Sequence, residues 1–233
     1  MEILRIDKYL SVALSQSRTD VKKLIKSGVI TVNGETVKKA DIKVLDTDTV
    51  CISGKPLEYK KYVYLVLNKP KGVLSASTDK KARTVIDLVD ERYRRYDLFP
   101  VGRLDKDTTG LLLITNDGDF AHRIISPKSG TDKLYYAELD GAVTDEHIEL
   151  FKNGVTLADG TICLPARLEK AGESSAYITV QEGKYHQIKR MFGTVGLGVN
   201  ELERLSIGEF SLPKDLKRGD SRELSAEELE ILR

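Results

Sequence analysis

Residues 102–118 read GRLDKDTTGLLLITNDG, a charged loop that leads directly into an apolar strand. Gly102 and Gly110 bound the loop and permit tight backbone geometry at both of its ends. Asp105 lies between Arg103 and Lys106, and an acid beside fixed cations can be held ionised and oriented. The pattern therefore indicates a shaped loop that carries a functional carboxylate. An ordinary loop with a structural Arg103–Asp105 ion pair is the alternative that the residues alone leave open.

The segments on either side of this loop mix strand-like and helix-like patterns. Apolar runs with strand character are KKYVYLVLN (60–68), LLLIT (111–115), KLYYAEL (133–139) and AYITV (176–180). Helical patterns are DFAHRII (119–125), TDEHIELF (144–151), YHQIKRMF (185–192) and a closing helix that Ser225 and Glu228 would cap. Because no regular βαβ rhythm appears, we expect an α+β domain with a largely antiparallel sheet.

The first sixty residues predict a separate and smaller unit. Ser17 with Asp20 is typical of a capped helix start, and Gly28 is placed to end that helix. Asn33-Gly34 between two apolar runs is typical of a β-hairpin turn. We therefore expect a small α/β domain over residues 1–58, followed by a larger domain over residues 61–233.

Charge is distributed unevenly along the chain. Residues 1–60 contain 11 Lys and Arg against 8 Asp and Glu, whereas the remainder contains 26 against 28. Arg18, Lys22 and Lys26 recur every fourth residue on one side of the second predicted helix, and we call these three residues the cationic stripe. The cationic stripe favours a nucleic-acid partner, although a solvated helix face would show the same pattern.

The composition of the 233 residues, with 40% apolar and 31% charged residues, is that of a globular protein. No apolar run approaches the roughly 18 residues of a membrane-spanning helix, and the start of the chain lacks a signal peptide pattern. We expect a cytoplasmic protein with no membrane partner. Cys51 and Cys163 lie far apart, and the three histidines show no HExxH spacing, so no metal site is expected.

Two regions resemble known families. LRIDKYLSVALSQSRTDVKKLIKSGVITVNGETV (4–37) resembles the S4 domain, a small RNA-binding module without chemistry of its own. That resemblance implies RNA contact through Arg5, Lys8 and the cationic stripe. GRLDKDTTGLLLITNDG resembles the signature of pseudouridine synthases of the small-subunit rRNA type, the RsuA family. In that signature the aspartate of GRLD is the catalytic residue, and Asp105 occupies its position.

Further motifs follow in the order that this family has. KLYYAEL resembles the motif that supplies an active-site tyrosine, aligned on Tyr135, although Tyr136 stands where the family has an acidic or apolar residue. EGKYHQIKRMF (182–192) resembles the motif whose basic residue pairs with the aspartate, aligned on Lys189, with Ile188 as the apolar pocket wall. The resemblance covers nearly the whole chain, because it extends to NKPKG (68–72), HRIISP (122–127) and ELERLSIGEFSL (201–212).

The resemblance implies that the protein isomerises a uridine of RNA to pseudouridine, with no cofactor and no metal. The N-glycosidic bond breaks, the freed uracil turns, and a carbon of the base joins the sugar. Asp105 would attack the anomeric carbon or remove the proton beside it, and the residues leave both routes open. Lys189 would pair with Asp105 and keep it ionised, while Tyr135 would lie against the base.

The target nucleotide must leave the stacked RNA to reach such a site. We expect Arg103 to assist this extrusion, and we expect nearby basic residues to bind phosphates of the extruded strand, namely Lys69, Lys71, Lys184 and Arg190.

The family implies a particular substrate as well as a reaction. By resemblance the substrate is 16S rRNA, at uridine 516, free or within a small-subunit assembly intermediate. We expect the enzyme to be a monomer. The alternatives are a synthase that acts on large-subunit (23S) rRNA and a non-catalytic RNA-binding or ribosome assembly factor.

Overall fold

The computed structural model describes residues 3–14, 16–45, 47–57, 59–93 and 95–232. The chain forms two compact units, Met1–Lys61 and Tyr62–Arg233. Within the described ranges, no helix combines the length and the apolar character that a membrane crossing requires.

Among its described residues, the first unit contains two helices and several short strands. Its elements are β1 (Ile3–Arg5), α1 (Ile6–Leu14), α2 (Arg18–Lys26), β2 (Ile30–Val32), β3 (Glu35–Thr36), β4 (Lys43–Leu45), β5 (Val50–Ile52) and β6 (Lys55–Pro56). The Ser17 side chain accepts a hydrogen bond from the backbone N–H of Asp20 and so caps α2. Asn33 and Gly34 have φ of 51° and 87°, the left-handed pair of a two-residue hairpin turn. The predicted helix start and hairpin are confirmed.

The core of this unit forms where α1 and α2 turn their apolar faces inward. Ile6 and Leu10 of α1 and Val21 and Ile25 of α2 are buried in one cluster. The three residues of the cationic stripe are exposed on the other side of α2. Its basic side chains are therefore available to solvent.

The second unit contains a large sheet and four helices among its described residues. Its strands are β7 (Tyr64–Lys69), β8 (Phe99–Pro100), β9 (Thr109–Thr115), β10 (Lys133–Leu139), β11 (Arg167–Gly172), β12 (Ser175–Val180), β13 (Val199–Ile207), β14 (Phe210–Ser211) and β15 (Ser221–Glu223). Its α-helices are α3 (Gly118–Ile125), α4 (Asp145–Asn153), α5 (Gln187–Thr194) and α6 (Ala226–Ile231). Short 3₁₀ turns occupy Val85–Leu88, Glu91–Tyr93 and Pro127–Ser129.

The sheet runs in the order β11-β12-β10-β13-β9-β7-β15, with β14 beside β13 and β8 beside β9. β9 pairs with β13 in parallel, whereas the other pairings along this order are antiparallel. The predicted α+β class with a largely antiparallel sheet is confirmed. β9 is buried along its whole length, which explains why its sequence TGLLLIT lacks polar alternation.

Helix α3 covers the sheet beside β9. Phe120 and Ile124 of α3 pack in one cluster with Leu111 and Leu113 of β9. Asp117 caps this helix, because its Oδ1 accepts hydrogen bonds from the backbone N–H groups of the next turn, each at 3.1 Å. The central strand that follows the charged loop is therefore held rigidly by the core.

Candidate active site

The loop between β8 and β9 carries Asp105, and the buried side chain of Lys69 holds the loop backbone. Lys69 is 0% exposed at the end of β7. Its Nζ donates to the carbonyl oxygens of Pro70 at 3.2 Å, Asp105 at 3.0 Å, Lys106 at 3.3 Å and Thr108 at 2.8 Å. Burial lowers the pKa of Lys69 to about 8. The prediction that Lys69 binds an RNA phosphate is wrong, because this ammonium group is enclosed and bound to the loop.

Two more contacts fix the path of the loop. Ser75 Oγ donates to the carbonyl of Leu104 at 2.7 Å and accepts from the N–H of the same residue at 3.1 Å. Gly110 has φ of +97°, and a Cβ atom there would lie 2.3 Å from the carbonyl oxygen of Arg204. Only glycine therefore allows the end of the loop to enter β9 against β13.

The loop forms one wall of a small cavity of about 70 Å³. Tyr135 of β10 and Ile188 and Lys189 of α5 line the same cavity as Asp105. Tyr135 and Ile188 are buried, whereas the Asp105 side chain is 29% exposed. Three segments that lie far apart in the sequence thus bring the four predicted residues together around one pocket.

The partner of Lys189 differs from the predicted one. Lys189 Nζ lies 2.5 Å from Oδ2 of Asp107, and this hydrogen bond is the largest cause that lowers the pKa of the Asp107 carboxyl. The predicted Lys189–Asp105 pair is therefore wrong for this structure. Asp105 Oδ1 instead lies 3.5 Å from Nε2 of His186. The loop turns through Lys106, so Asp105 and Asp107 face different neighbours.

His186 is a pocket residue to which the sequence reasoning gave no role at Asp105. It lies at the start of α5 with φ of 48°, an uncommon conformation for a residue other than glycine. Its ring stacks on that of Tyr185, with the centroids 3.8 Å apart. A sequence pattern carries no signal for this backbone conformation, and the contact with Asp105 could not have been predicted from spacing.

Strand alternation separates the two adjacent tyrosines. Tyr135 lines the cavity, while Tyr136 points to the other face of β10 and packs against Tyr177, with ring centroids 5.6 Å apart. Tyr135 is therefore the tyrosine that shares the cavity with Asp105.

The other predicted RNA-binding residues lie around the pocket or on its rim. Arg103 is exposed and lines the cavity together with Lys184. Three of these basic side chains have carboxylate partners: Lys184 pairs with Glu182, Lys71 with Glu201 at 2.5 Å, and Arg190 with Asp159 at 2.5 Å. In the first unit, Lys8 is exposed and Arg5 pairs with Asp7 at 2.8 Å. Phosphate binding by these residues stays a prediction, and RNA would compete with their carboxylate partners.

The arrangement can perform acid–base or nucleophilic chemistry on a small, largely buried group. Asp105 is partly exposed at the pocket, and cationic side chains line the same cavity. The apolar face of Ile188 and the ring of Tyr135 provide a surface on which a flat ring could stack. A carboxylate in such a position can attack an electrophilic carbon or remove a proton.

Comparisons with known proteins agree with this geometry. Residues 63–194 match the family described as RNA pseudouridylate synthase, and residues 4–50 match the S4 domain. An uncharacterized RNA pseudouridine synthase, YtzG, of Bacillus subtilis (strain 168) is 42% identical over 98% of both chains. Ribosomal small subunit pseudouridine synthase A of Escherichia coli (strain K12) is 39% identical over 97% of this chain and 98% of its own.

A solved structure supports the same assignment. A crystal structure of a pseudouridylate synthase is similar with a TM-score of 0.70 and 33% identity, over 99% of this chain and 100% of that chain. The predicted family resemblance and enzyme class are thereby confirmed. Because these similarities extend over both units and are not confined to one motif, the chain belongs to the RNA pseudouridylate synthase family and carries an S4 domain before its catalytic unit.

Proposed function

We propose that this protein converts uridine 516 of 16S rRNA to pseudouridine. The proposal rests on the end-to-end similarity to ribosomal small subunit pseudouridine synthase A, which is 39% identical. Its partner is 16S rRNA, free or within a small-subunit assembly intermediate, and it acts in the cytoplasm as a monomer without a small-molecule cofactor.

In the proposed reaction, Asp105 acts at the sugar of the extruded uridine. Its carboxylate bonds to the anomeric carbon or takes the neighbouring proton, and the C1′–N1 bond breaks. Tyr135 lies against the base and Ile188 keeps water from it. Lys189, through its ion pair with Asp107, positions the loop that holds Asp105.

The N-terminal unit supplies affinity in this proposal. The cationic stripe lies exposed on α2, so its three charges neutralise phosphates of the rRNA. Phosphate contacts position the RNA without reading its sequence, so the choice of uridine falls to the catalytic unit.

Mapping pseudouridine in rRNA from cells with and without the gene tests the proposed substrate. We expect one site, uridine 516 of 16S rRNA, to lose its modification when the gene is deleted. Loss of a modified site in 23S rRNA would show that the enzyme acts on the large-subunit rRNA instead. Unchanged modification of all rRNA would support a non-catalytic assembly factor.

Complementation of the deletion strain tests the catalytic residue. Asp105→Asn preserves the shape of the side chain but removes its charge, so it should restore no modification. Asp97→Asn makes the same chemical change at an exposed position beyond the pocket lining and should restore full modification. Modification by the Asp105 variant would contradict the proposed role of its carboxylate.

A further inference from the structure

A second cavity of about 260 Å³ adjoins the active-site pocket. Four residues line both cavities, namely Arg103, Tyr135, Glu182 and Gly183. The second cavity therefore extends the pocket past the ring of Tyr135. Its other walls include apolar side chains, among them Val101, Ile124 and Ile207.

Arg204 is a buried cation in the wall of this second cavity. It is 4% exposed and lies opposite Tyr135 in the pairing of β13 with β10. Its Nε donates to the carbonyl oxygen of Leu111 at 2.8 Å, and its Nη1 lies 3.5 Å from the hydroxyl of Tyr135. Among the described residues, its buried Nη2 has no hydrogen-bond partner.

An unpaired buried donor on a charged group is costly, so native proteins rarely keep one without a use. Arg204 has five N–H donors in a planar fork, and those on Nη2 bind no protein acceptor among the described residues. Lys133 adds a second positive charge to the same wall and is also buried.

Acidic groups do not neutralise this cavity. Glu182 is the acidic residue in its lining, against Arg103, Lys133 and Arg204. The carboxylate of Glu182 already accepts hydrogen bonds from the N–H of Leu164 at 2.9 Å and from Gln187 Nε2 at 2.8 Å, and it pairs with Lys184. The cavity is therefore suited to an acceptor that carries negative charge.

The proposed reaction generates such an acceptor. When the C1′–N1 bond breaks, its electron pair stays on the uracil, and the negative charge spreads over N1 and the two carbonyl oxygens O2 and O4. We propose that Arg204 donates through Nη2 to a carbonyl oxygen of the departing uracil and stabilises this anion in the second cavity. The base then joins C1′ through C5, the C5 proton leaves, and N1 gains a proton, so the isomerisation balances without an oxidant.

A base fits this cavity better than a phosphate does. Apolar side chains and Tyr135 line the cavity, and a pyrimidine ring can pack against such side chains. A buried donor placed where charge develops during the reaction accelerates that step, and loss of one such donor typically costs about 10²–10³-fold in rate. Arg204 is therefore a catalytic residue in this proposal.

First-turnover rates with two RNAs test this role, which rests on the proposed function. The RNA contains either uridine or 5-fluorouridine at the site that modification mapping identifies. C5 of 5-fluorouridine carries no proton that could leave, so its product is not pseudouridine, and both reactions are followed by the disappearance of the substrate nucleoside in chromatograms of nuclease digests. Fluorine withdraws electrons and stabilises the uracil anion, so 5-fluorouracil depends less on Arg204. Arg204→Met should lose about 10²–10³-fold with uridine and distinctly less with 5-fluorouridine.

Arg218→Met is the matched control, since Arg218 is 49% exposed and pairs with Glu203 beside Arg204. It should leave both rates unchanged. An equal loss with the two RNAs would overturn the proposal, because a structural or phosphate-binding role of Arg204 does not depend on the leaving base.

A second variant covers the case in which Arg204→Met does not fold. Arg204→Lys keeps the positive charge, and its smaller loss with uridine should again shrink with 5-fluorouridine; an equal loss would refute the role. Because the RNA is chosen by mapping, wild-type turnover reports on the proposed function separately. A wild-type enzyme inactive on every rRNA would refute both proposals, whereas an active wild type with equal losses refutes the role of Arg204 alone.

Discussion

Lys69→Met tests whether a buried ammonium group holds the catalytic loop. Methionine keeps the length and much of the volume of lysine but removes its donors. In the unsubstituted protein, Lys69 Nζ donates to four carbonyl oxygens, three of them in the loop around Asp105. The change should therefore release the loop without creating a large void in the core.

Two opposing terms determine the effect on stability. The pKa of Lys69 falls from 10.5 to about 8, so burying its charge lowers the free energy of unfolding by about 3 kcal/mol. The methionine variant has no charge to bury and lacks this destabilising term. The carbonyl oxygens of Asp105 and Lys106 keep the backbone N–H groups of Thr108 and Gly72 as donors, so the main loss falls on the carbonyls of Pro70 and Thr108, at about 1 kcal/mol each. The two terms nearly cancel, so we expect the free energy of unfolding, measured by urea denaturation, to change by no more than about 1 kcal/mol.

The effect on activity should be much larger. A displacement of about 1 Å at a catalytic group costs about 10²-fold in rate, and the released loop carries Asp105. Single-turnover rates at saturating RNA measure this loss. Lys80→Met is the matched control, because it makes the same substitution at an exposed position of the second unit to which no RNA contact is assigned.

The pH dependence supplies a second readout with opposite signs for stability and activity. Between pH 8 and 10.5 the unfolded chain binds more protons at Lys69 than the folded chain, so the contribution of this residue to stability rises with pH. The neutral amine has only two donors for four carbonyl oxygens, so wild-type activity should fall above pH 8. Both trends should vanish in Lys69→Met. Activity within twofold of wild type, with the same alkaline profile, would refute the reasoning.

Three further predictions address an ion pair, a helix cap and the cationic stripe. Lys189→Gln should raise the pKa of Asp107, because the ion pair with Lys189 lowers it, and an unchanged midpoint in a carboxylate NMR titration would exclude the pair in solution. Asp117→Ala should remove about 1 kcal/mol at neutral pH by loss of the α3 cap. Burial opposes ionisation of Asp117, but the Tyr64 hydroxyl and backbone N–H groups outweigh it and lower the pKa. The difference in urea stability between wild type and variant should therefore shrink below about pH 4, and a constant difference would contradict the charged cap. Charge reversal across the cationic stripe should weaken rRNA binding and flatten the plot of log affinity against log salt by up to about three phosphate contacts, while the saturated rate is preserved. An unchanged slope with a collapsed rate would show that the first unit shapes the active site.

Much of the fold and the pocket follows from local sequence pattern. The hairpin at Asn33-Gly34, the cap at Ser17 and the strand that follows the GRLD loop were predictable, since each depends on residues a few positions apart. The resemblance of KLYYAEL to a family motif indicated Tyr135, and this residue lines the pocket.

The sequence by itself determined the fold class and indicated the four motif residues that line the pocket, Asp105, Tyr135, Ile188 and Lys189, because those depend on short-range pattern and on recognisable motifs. Only the tertiary structure decided the partner of each charged group. Lys69 is buried because β7 pairs with β9 and closes the loop over its ammonium group, and Lys189 faces Asp107 and not Asp105 because of the path that the loop takes. Arg204 contacts Tyr135 because its strand, β13, lies between β9 and β10 in the sheet. In the sequence, β13 is far from both of these strands. Which charge faces which depends on ångström distances across strands that are remote in the chain, and no local pattern encodes those distances.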